Sequence, residues 1–277
     1  MLYYWMKETI DLLRPRMFLA ENVKGMISMG RVKEIIAADF ASAGGGGYFV
    51  FPPRVLHAGD YGVPQSRERI FFIGVHLDAL DRSVRSQLLT GNIPPELDPY
   101  PAPTHSRSGL ALDLGEPLRP MSTVRDALGD LPEPDHPDAC PDQKRYSRAR
   151  WYGRHVQGQT EVDLDGLGPT IRAEHHGNIE FRRLSAEHGG KIDSERHLPE
   201  RRLTLRECAR LQTFPDDFTF VGNPSEYRVS ASEAYKLIGN AVPPLLGFQI
   251  GRRLAAIWDE LFVSEEVHSV SRASSSP

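Results

Sequence analysis

Residues 235–244 form the most specific local pattern of the chain: Tyr235-Lys236-Leu237-Ile238-Gly239-Asn240-Ala241-Val242-Pro243-Pro244. The Gly-Asn pair can end a helix or a strand where no large side chain crowds the backbone, and proline suits the first turn of the helix that follows. This geometry exposes a backbone amide and an Asn side chain, which suits a small polar ligand. A tight Gly-Asn turn before a helix fits the pattern equally well, so the other motifs must decide.

The composition is that of a globular protein. The chain has 277 residues, of which 40% are apolar and 25% charged, and this length allows one large domain or two modest ones. No apolar run approaches the roughly 18 residues of a membrane helix, and no secretory leader pattern is present, so we expect a cytoplasmic protein without membrane contact. Cys140 and Cys208 show neither disulfide nor zinc-ligand spacing, and we expect no metal. The net charge of −4 argues against a protein whose whole surface binds nucleic acid, but it permits a local basic patch.

The first 77 residues show helical and strand periodicity. Helices are predicted over residues 5–14 and 31–41, and strands over residues 48–51 and 70–75. A further strand, residues 17–20, has the continuous apolar character of a buried parallel strand and leads into Glu21-Asn22-Val23. Polar residues at the carboxyl end of such a strand face the crevice where α/β sheets bind ligands.

Two arginines precede the strand at residues 70–75. They lie in the pattern Gln65-x-Arg67-x-Arg69, which follows a loop rich in Gly and Pro. Their spacing of two places both on one face of an extended chain. The pair is compatible with salt bridges to local acids and with a clamp on an anion or a base.

Residues 78–200 are dense in proline and lack long periodic segments apart from residues 124–131, which indicates a loop-rich second domain. One stretch, residues 144–154, contains basic and aromatic residues and no acid. This mixture is typical of contacts to nucleic-acid backbone and bases, although a solvated charged loop is also possible. The basic residues are Lys144, Arg145, Arg148, Arg150 and Arg154, interleaved with Tyr146, Trp151 and Tyr152.

Regular structure is predicted again after residue 200. Thr204 and Glu207 have the spacing of a capping box that opens a helix, and Phe214-Pro215 would end it. Further helices are predicted over residues 231–238 and 245–262, and the Ser-rich tail is expected to be disordered. Cys208, in the middle of the first of these helices, is expected to be a small buried residue.

Taken together, four patterns resemble the motifs of the DNA (cytosine-5)-methyltransferases in their order and spacing. The resemblance implies an α/β fold with a partial Rossmann-like, S-adenosylmethionine-dependent methyltransferase sheet and a target recognition domain. The implied boundaries are 1–77 and 201–263 for the catalytic domain, 78–200 for target recognition and 264–277 for the disordered tail. The patterns are Glu21-Asn22-Val23, Gln65-x-Arg67-x-Arg69, Arg202-Leu203-Thr204 through Gln212-x-Phe214-Pro215, and Gly239-Asn240-Ala241-Val242-Pro243-Pro244.

The resemblance also implies roles for individual residues. Glu21 would bind ring nitrogen 3 and the exocyclic amine of a flipped cytosine, with Asn22 fixing the loop. Arg69 would contact the base carbonyl oxygen, and Arg67 a flanking phosphate or the catalytic loop. Asn240, with the backbone around Ala241 and Val242, would bind the carboxylate end of S-adenosylmethionine. DNA contacts are expected from Gln65, Lys144, Arg145, Arg148, Arg150, Arg154 and Arg172.

Two motifs of that family are not found in these 277 residues: the Phe-x-Gly-x-Gly cofactor loop and the Pro-Cys-Gln loop that carries the nucleophile. We therefore expect the carboxyl-terminal portion of a methyltransferase acting on double-stranded DNA in a restriction-modification system. Alone it would be inactive, and a complementary chain would cover an unpaired edge of the sheet and the apolar faces of residues 17–20 and 70–75. The alternatives are an inactive DNA-binding remnant and a member of the related RNA cytosine methyltransferases.

Overall fold

The computed structural model of the chain describes residues 2–28, 30–107, 117–173, 179–195, 197–221 and 229–262. The predicted disordered tail, 264–277, lies outside these residues. The helices are α1 (Leu2–Leu13), α2 (Val32–Ala41), α3 (Ala43–Gly46), α4 (Arg82–Leu89), α5 (Val124–Leu128), α6 (Leu205–Leu211), α7 (Ala231–Asn240), α8 (Pro244–Ala256) and α9 (Trp258–Leu261). The strands are β1 (Met17–Val23), β2 (Tyr48–Val50), β3 (Arg54–His57), β4 (Glu68–His76), β5 (His105–Ser106), β6 (Arg119–Pro120), β7 (Phe181–Arg183) and β8 (Arg201–Arg202).

The chain folds into two compact units. The first unit comprises residues 1–56, 68–102 and 249–277, and the second comprises residues 57–67 and 103–248. These limits differ from the boundaries expected from the sequence, since residues 78–102 belong to the first unit and residues 201–248 to the second. The assignment of 78–200 to target recognition stays a prediction.

The first unit is built on a sheet in which β4 is the central strand. Its order is β1-β4-β2, and β3 also pairs with β4. Residues 70–75 of β4 are almost fully buried, as expected for an apolar strand covered on both faces. The expectation that an apolar face of these residues would be exposed is therefore wrong.

Strand β1 runs antiparallel to β4, and β2 does so too. The parallel strand predicted at residues 17–20 is therefore wrong in direction, although the strand itself is confirmed. A continuous apolar run indicates burial on both faces and carries no information on direction. Within the part of the chain that the structure describes, β1 pairs only with β4 and lies at an edge of the sheet.

A glycine in β4 explains the close packing of β1. Phe18 pairs with Gly74 across the two strands, and a Cβ on Gly74 would lie 2.2 Å from the Phe18 ring. Phe18 also packs against Phe40 of α2, with ring centroids 5.1 Å apart. The core of the first unit thus forms between the sheet and the helices α1 and α2, and includes Ile10, Phe18, Ile36, Phe40, Ile70 and Phe72.

The second unit has its core around α5, α6 and α7. As predicted, a capping box opens α6: the Glu207 N–H donates to Thr204 Oγ1 at 3.0 Å, and the Thr204 N–H donates to Glu207 Oε2 at 2.8 Å. Cys208 is fully buried, as expected. The short strands form a parallel pair, β5 with β6, and an antiparallel pair, β7 with β8. The most deeply buried core residues include Leu203, Leu205, Cys208, Leu211, Tyr235 and Ile238.

The helices of two regions differ from those predicted from the sequence. The helix expected over residues 245–262 is two helices, α8 and α9, which meet at Ile257. Helix α4 lies in the region predicted to be loop-rich. Its signal was Asp81, whose carboxylate accepts from the Ser83 N–H at 2.8 Å and caps the helix.

Candidate active site and DNA interface

Glu21 and Arg69 form an ion pair on the sheet of the first unit. The register places Val23 opposite Arg69 and Glu21 opposite Phe71, so the two charged side chains are diagonal neighbours on one face. Arg69 Nε lies 2.7 Å from Glu21 Oε1, and the side chains are 12% and 26% exposed. Burial lowers the pKa of Arg69, and the Glu21 carboxylate opposes that shift. The pair presents an acceptor and a donor side by side at a partly exposed position.

Asn22 has a local role in the structure. Its Oδ1 accepts from the Val23 N–H at 2.8 Å, at the point where β1 ends. Next to it, Lys24 and Glu68 form an exposed salt bridge of 2.7 Å. The amide thus fixes the backbone just after Glu21, which is compatible with the loop-fixing role expected for Asn22.

Arg67 belongs to the second unit and is buried, with 1% of its surface exposed. Its guanidinium donates to three backbone carbonyls: those of Ile171 at 2.9 Å, Gly239 at 2.8 Å and Ala241 at 2.9 Å. The expected contact with a flanking phosphate is not available to this side chain in the structure, because its donors face the protein interior. Strand β4 begins at Glu68, so Arg69 lies within the strand and Arg67 precedes it.

Gln65 is also fully buried. Its Nε2 donates to Gln212 Oε1 at 3.0 Å and to the Leu211 carbonyl at 3.2 Å. Gln212 in turn donates to the carbonyls of Ile238 at 2.6 Å and Ala241 at 3.2 Å. In this structure Gln65 presents no group to DNA, so the contact expected from the sequence is not supported. We call Gln65, Arg67 and Gln212 the buried polar cluster.

The buried polar cluster holds the turn between α7 and α8, where the Gly-Asn motif lies. Asn240 ends α7 with an exposed side chain, and Ala241 and Val242 are half-buried. Gly239 lies against the backbone of residues 172 and 173: a Cβ there would be 2.3 Å from the Arg172 carbonyl carbon. Sequence reasoning did not identify Gln212 as part of this arrangement, because its partners are distant in sequence.

The basic segment, residues 144–154, lies on the surface of the second unit. Its five basic side chains are all exposed, and Arg172 is half-buried. Arg148 lies over the Tyr146 ring, 4.2 Å from its centroid, and Trp151 stacks on His188 at 4.5 Å. The exposure agrees with a DNA-binding surface and equally with a solvated loop, so the expected DNA contacts stay predictions.

A buried ion-pair network supports β7 and β8. Arg201 donates to both oxygens of Glu207 at 2.8 Å, and Glu133 bonds both Arg201 and Arg183, at 3.0 and 2.6 Å. Burial raises the pKa of Glu207, but Arg201 outweighs this and leaves that pKa below its usual range. Burial also raises the pKa of Glu133, but Arg183 and Arg201 outweigh this effect and lower that pKa to about 2. These carboxylates are structural, because their charges are neutralised within the protein.

The described residues contain neither a metal site nor a membrane helix. No group of three His, Cys, Asp or Glu side chains among them could hold a metal ion. Nor is any described helix both long and apolar enough to cross a membrane. Burial raises the pKa of the Cys208 thiol well above its usual value, which opposes the thiolate form that a nucleophile needs.

Comparison with known proteins identifies relatives over most of the chain. It is 33% identical over 253 residues to the type II methyltransferase M.BsuRI of Bacillus subtilis, a match that covers 87% of this chain and 50% of the relative. It is 30% identical over 270 residues to the type II methyltransferase M.NgoFVII of Neisseria gonorrhoeae, covering 94% of this chain and 63% of that relative. The chain thus spans about half to two thirds of the length of these relatives.

One solved structure has a fold similar to that of this chain. A DNA modification methyltransferase encoded within an Escherichia coli prophage matches 93% of this chain and 74% of its own, at 22% identity and a TM-score of 0.52. Together with the mixed helices and strands, this confirms the predicted α/β fold class. The sequence model of the C-5 cytosine-specific DNA methylases matches residues 1–256. The chain therefore belongs to the C-5 cytosine-specific DNA methylase family.

Proposed function

We propose that this chain is the carboxyl-terminal portion of a DNA (cytosine-5)-methyltransferase of a restriction-modification system. The enzyme would transfer the methyl group of S-adenosylmethionine to carbon 5 of a flipped cytosine in a specific duplex sequence. The observation that carries the proposal is the Glu21–Arg69 pair, at 2.7 Å and partly exposed, in a chain of this family.

The chemistry accounts for these residue types. Carbon 5 of cytosine is a poor nucleophile, so a thiolate first adds to carbon 6 and the charge developing on the ring must be stabilised. Glu21 would hold ring nitrogen 3 and the exocyclic amine, and Arg69 would donate to the base carbonyl oxygen. In the structure the two side chains bind each other, so a base entering the site would replace part of this ion pair by hydrogen bonds to the ring.

The turn after α7 fits one end of the methyl donor. The Asn240 amide is exposed, while Arg67 and Gln212 hold the carbonyl of Ala241 behind it. An amide side chain on a fixed turn can bind a carboxylate or an amine without rearrangement. Asn240, Ala241 and Val242 would bind the amino-acid end of S-adenosylmethionine, and the cofactor would supply the methyl group.

A second polypeptide segment would bring the nucleophilic Cys and the glycine-rich cofactor loop. Two observations support such a partner. The relatives are longer than this chain, and large apolar side chains are exposed on α1 and β1 of the first unit. Neighbouring exposed apolar side chains and a strand at the edge of a sheet, as β1 is among the described residues, are typical of interaction sites. The exposed residues are Tyr4, Trp5, Leu12, Leu13, Leu19 and Val23.

The test is transfer of tritiated methyl groups from S-adenosylmethionine to duplex DNA. The 277-residue chain is assayed alone and with a candidate chain that carries the Phe-x-Gly-x-Gly and Pro-Cys-Gln motifs, and RNA is used as a parallel substrate. Activity on DNA that requires both chains supports the proposal. DNA binding without methyl transfer under either condition would indicate an inactive recognition remnant, and transfer to RNA alone would indicate an RNA methyltransferase.

A further inference from the structure

Arg202 lies directly beneath the basic segment and is almost fully buried, with 1% of its surface exposed. Its Nε donates to the Ala149 carbonyl at 2.8 Å, and its Nη2 donates to the Arg150 carbonyl at 3.0 Å. Nη1 donates to the carbonyls of Gly158, at 2.6 Å, and Ile179. The guanidinium therefore joins the basic segment to two other stretches of the second unit.

The guanidinium also has an aromatic partner. Its central carbon lies 4.0 Å from the centroid of the Phe181 ring. This contact fixes the plane of the guanidinium group. Only arginine combines a planar set of five donors with stacking on a ring. A lysine at this position would offer donors from a single nitrogen, and it could not bond four carbonyls that lie in different directions.

The exposure of the basic segment alternates above this arginine. Residues 148, 150 and 152 are exposed, whereas residue 147 is buried and residues 149, 151 and 153 are half-buried. An alternation with period two indicates an extended chain, in which every second side chain lies on the same side, about 6.6 Å from the next. Arg148 and Arg150 thus share one exposed side with Tyr152, and the extended stretch ends at Gly153, whose φ is 111°.

The charges on that side remain available for a ligand. In the part of the chain that the structure describes, neither Arg148 nor Arg150 forms an ion pair with a carboxylate. Further bonds hold the backbone of the segment: the Tyr152 N–H donates to Gln159 Oε1 at 2.8 Å, and the Ala149 N–H donates to Ser147 Oγ at 3.2 Å. Two cations at this spacing on a fixed extended backbone suit the regularly spaced phosphates of a DNA strand.

We propose that Arg202 is a positioning residue for DNA binding: it holds residues 147–152 of the basic segment extended, so that Arg148 and Arg150 contact successive phosphates. This inference rests on the proposed function, because it takes duplex DNA as the ligand. Arg202 itself touches no DNA. Its effect is to remove conformational freedom from the segment before binding, which lowers the entropy lost when the complex forms.

The test compares Arg202→Lys with Arg183→Lys. Arg183 is an equally buried arginine of the same unit, 2% exposed, whose bonds go to Glu133, Glu195 and the Pro199 carbonyl. Binding of the 277-residue chain to a fluorescent DNA duplex is measured over a range of salt concentrations. Hydrogen exchange of the peptide over residues 149–158 is measured without DNA, with the peptide over residues 205–211 as an internal reference.

We expect Arg202→Lys to accelerate exchange in residues 149–158 at least about tenfold, the effect of losing one or more hydrogen bonds. We also expect the slope of log affinity against log salt to fall by about 0.9 for each phosphate that the segment no longer neutralises. Arg183→Lys should change neither quantity, even where it lowers thermal stability. Equal slopes for the two variants would overturn the inference, and so would unchanged exchange in Arg202→Lys.

Phe181→Leu is the second variant, used if Arg202→Lys does not fold. It removes the ring that fixes the guanidinium and should give the same changes to a smaller extent, so wild-type exchange and slope in that variant would contradict the inference. If the unsubstituted chain binds no DNA, the role of Arg202 in DNA binding fails, whereas the proposed function is decided separately by the methyl-transfer assay with both chains. The exchange measurements would then still decide whether Arg202 holds the segment.

Discussion

Replacing Gly239 by alanine should destabilise the second unit, although the same change stabilises most helices. Gly239 lies inside α7, where alanine is ordinarily favoured by about 0.5–1 kcal/mol. Here the added Cβ would lie 2.3 Å from the carbonyl carbon of Arg172, 2.4 Å from its oxygen and 2.5 Å from the Ala173 nitrogen. These are backbone atoms and cannot rotate away, so either the helix or the stretch 171–173 must move.

The magnitude follows from that movement. Overpacking of this kind costs about 1–3 kcal/mol. The shift also disturbs the hydrogen bonds of Arg67 to the carbonyls of Ile171 and Gly239, which are 2.9 and 2.8 Å long and contribute about 0.5–1.5 kcal/mol each. After the gain in helix propensity is subtracted, we expect a net loss of about 2 kcal/mol in the free energy of unfolding.

Gly251 of α8 provides the matched control, because a Cβ there meets no atom within 4 Å. In thermal unfolding followed by circular dichroism, Gly251→Ala should raise the midpoint slightly. Gly239→Ala should lower it by about 4–8 °C, at about 2–4 °C per kcal/mol for a chain of this size. A midpoint for Gly239→Ala equal to or above that of the wild type would refute the close approach of α7 to residues 172 and 173.

Three further substitutions test the buried and the exposed charges. Arg67→Lys should lower the free energy of unfolding by about 2 kcal/mol or more, because at least one buried carbonyl loses its donor; a wild-type denaturation midpoint in urea would contradict this. The folded-state pKa of Glu133 is about 2, below its usual 4.5, so its pairs with Arg183 and Arg201 stabilise the protein above pH 4.5 and lose that effect as the pH falls toward 2. Glu133→Gln should therefore flatten the acid limb of a plot of melting temperature against pH, and a wild-type limb would exclude the pairing. In the reconstituted enzyme, Glu21→Gln should slow methyl transfer about 10²–10³-fold while DNA affinity changes little; equal losses in rate and affinity would contradict its role.

Local patterns were enough to predict most of the longer helices and the strands β1, β2 and β4, whereas β3 and the short strands β5 to β8 were not predicted. The helix start at Thr204 and the burial of Cys208 follow from interactions within one or two turns, and the structure contains both. The edge position of β1 and its antiparallel direction could not be predicted, because they depend on pairing with β4, about 50 residues away in sequence. Helix α4 was missed since its apolar positions are few, and only the cap at Asp81 marks its start.

The candidate site could also be predicted only in part from the sequence. Glu21 and Arg69 were predicted individually, and their pairing across the sheet depends on a register that the sequence does not contain. The roles of Gln212 and Arg202 were missed for a related reason. Both bond backbone carbonyls of other segments, and a carbonyl has the same chemistry at every residue, so no side-chain pattern reveals which one an arginine or a glutamine will reach.

Arg67 and Arg69 show why a motif cannot by itself separate catalytic from structural residues. Both belong to one short pattern, and substitution of either is expected to abolish activity. Yet Arg67 uses its donors on three buried carbonyls, whereas Arg69 faces a partly exposed carboxylate. Loss of Arg67 acts through folding and therefore lowers stability and activity together. Loss of Arg69 would remove the proposed contact to the base and should leave the fold in place, because Glu21 can be solvated. The two residues thus share a motif but differ in burial and in partners, which separates the structural bonds of Arg67 from the role proposed for Arg69.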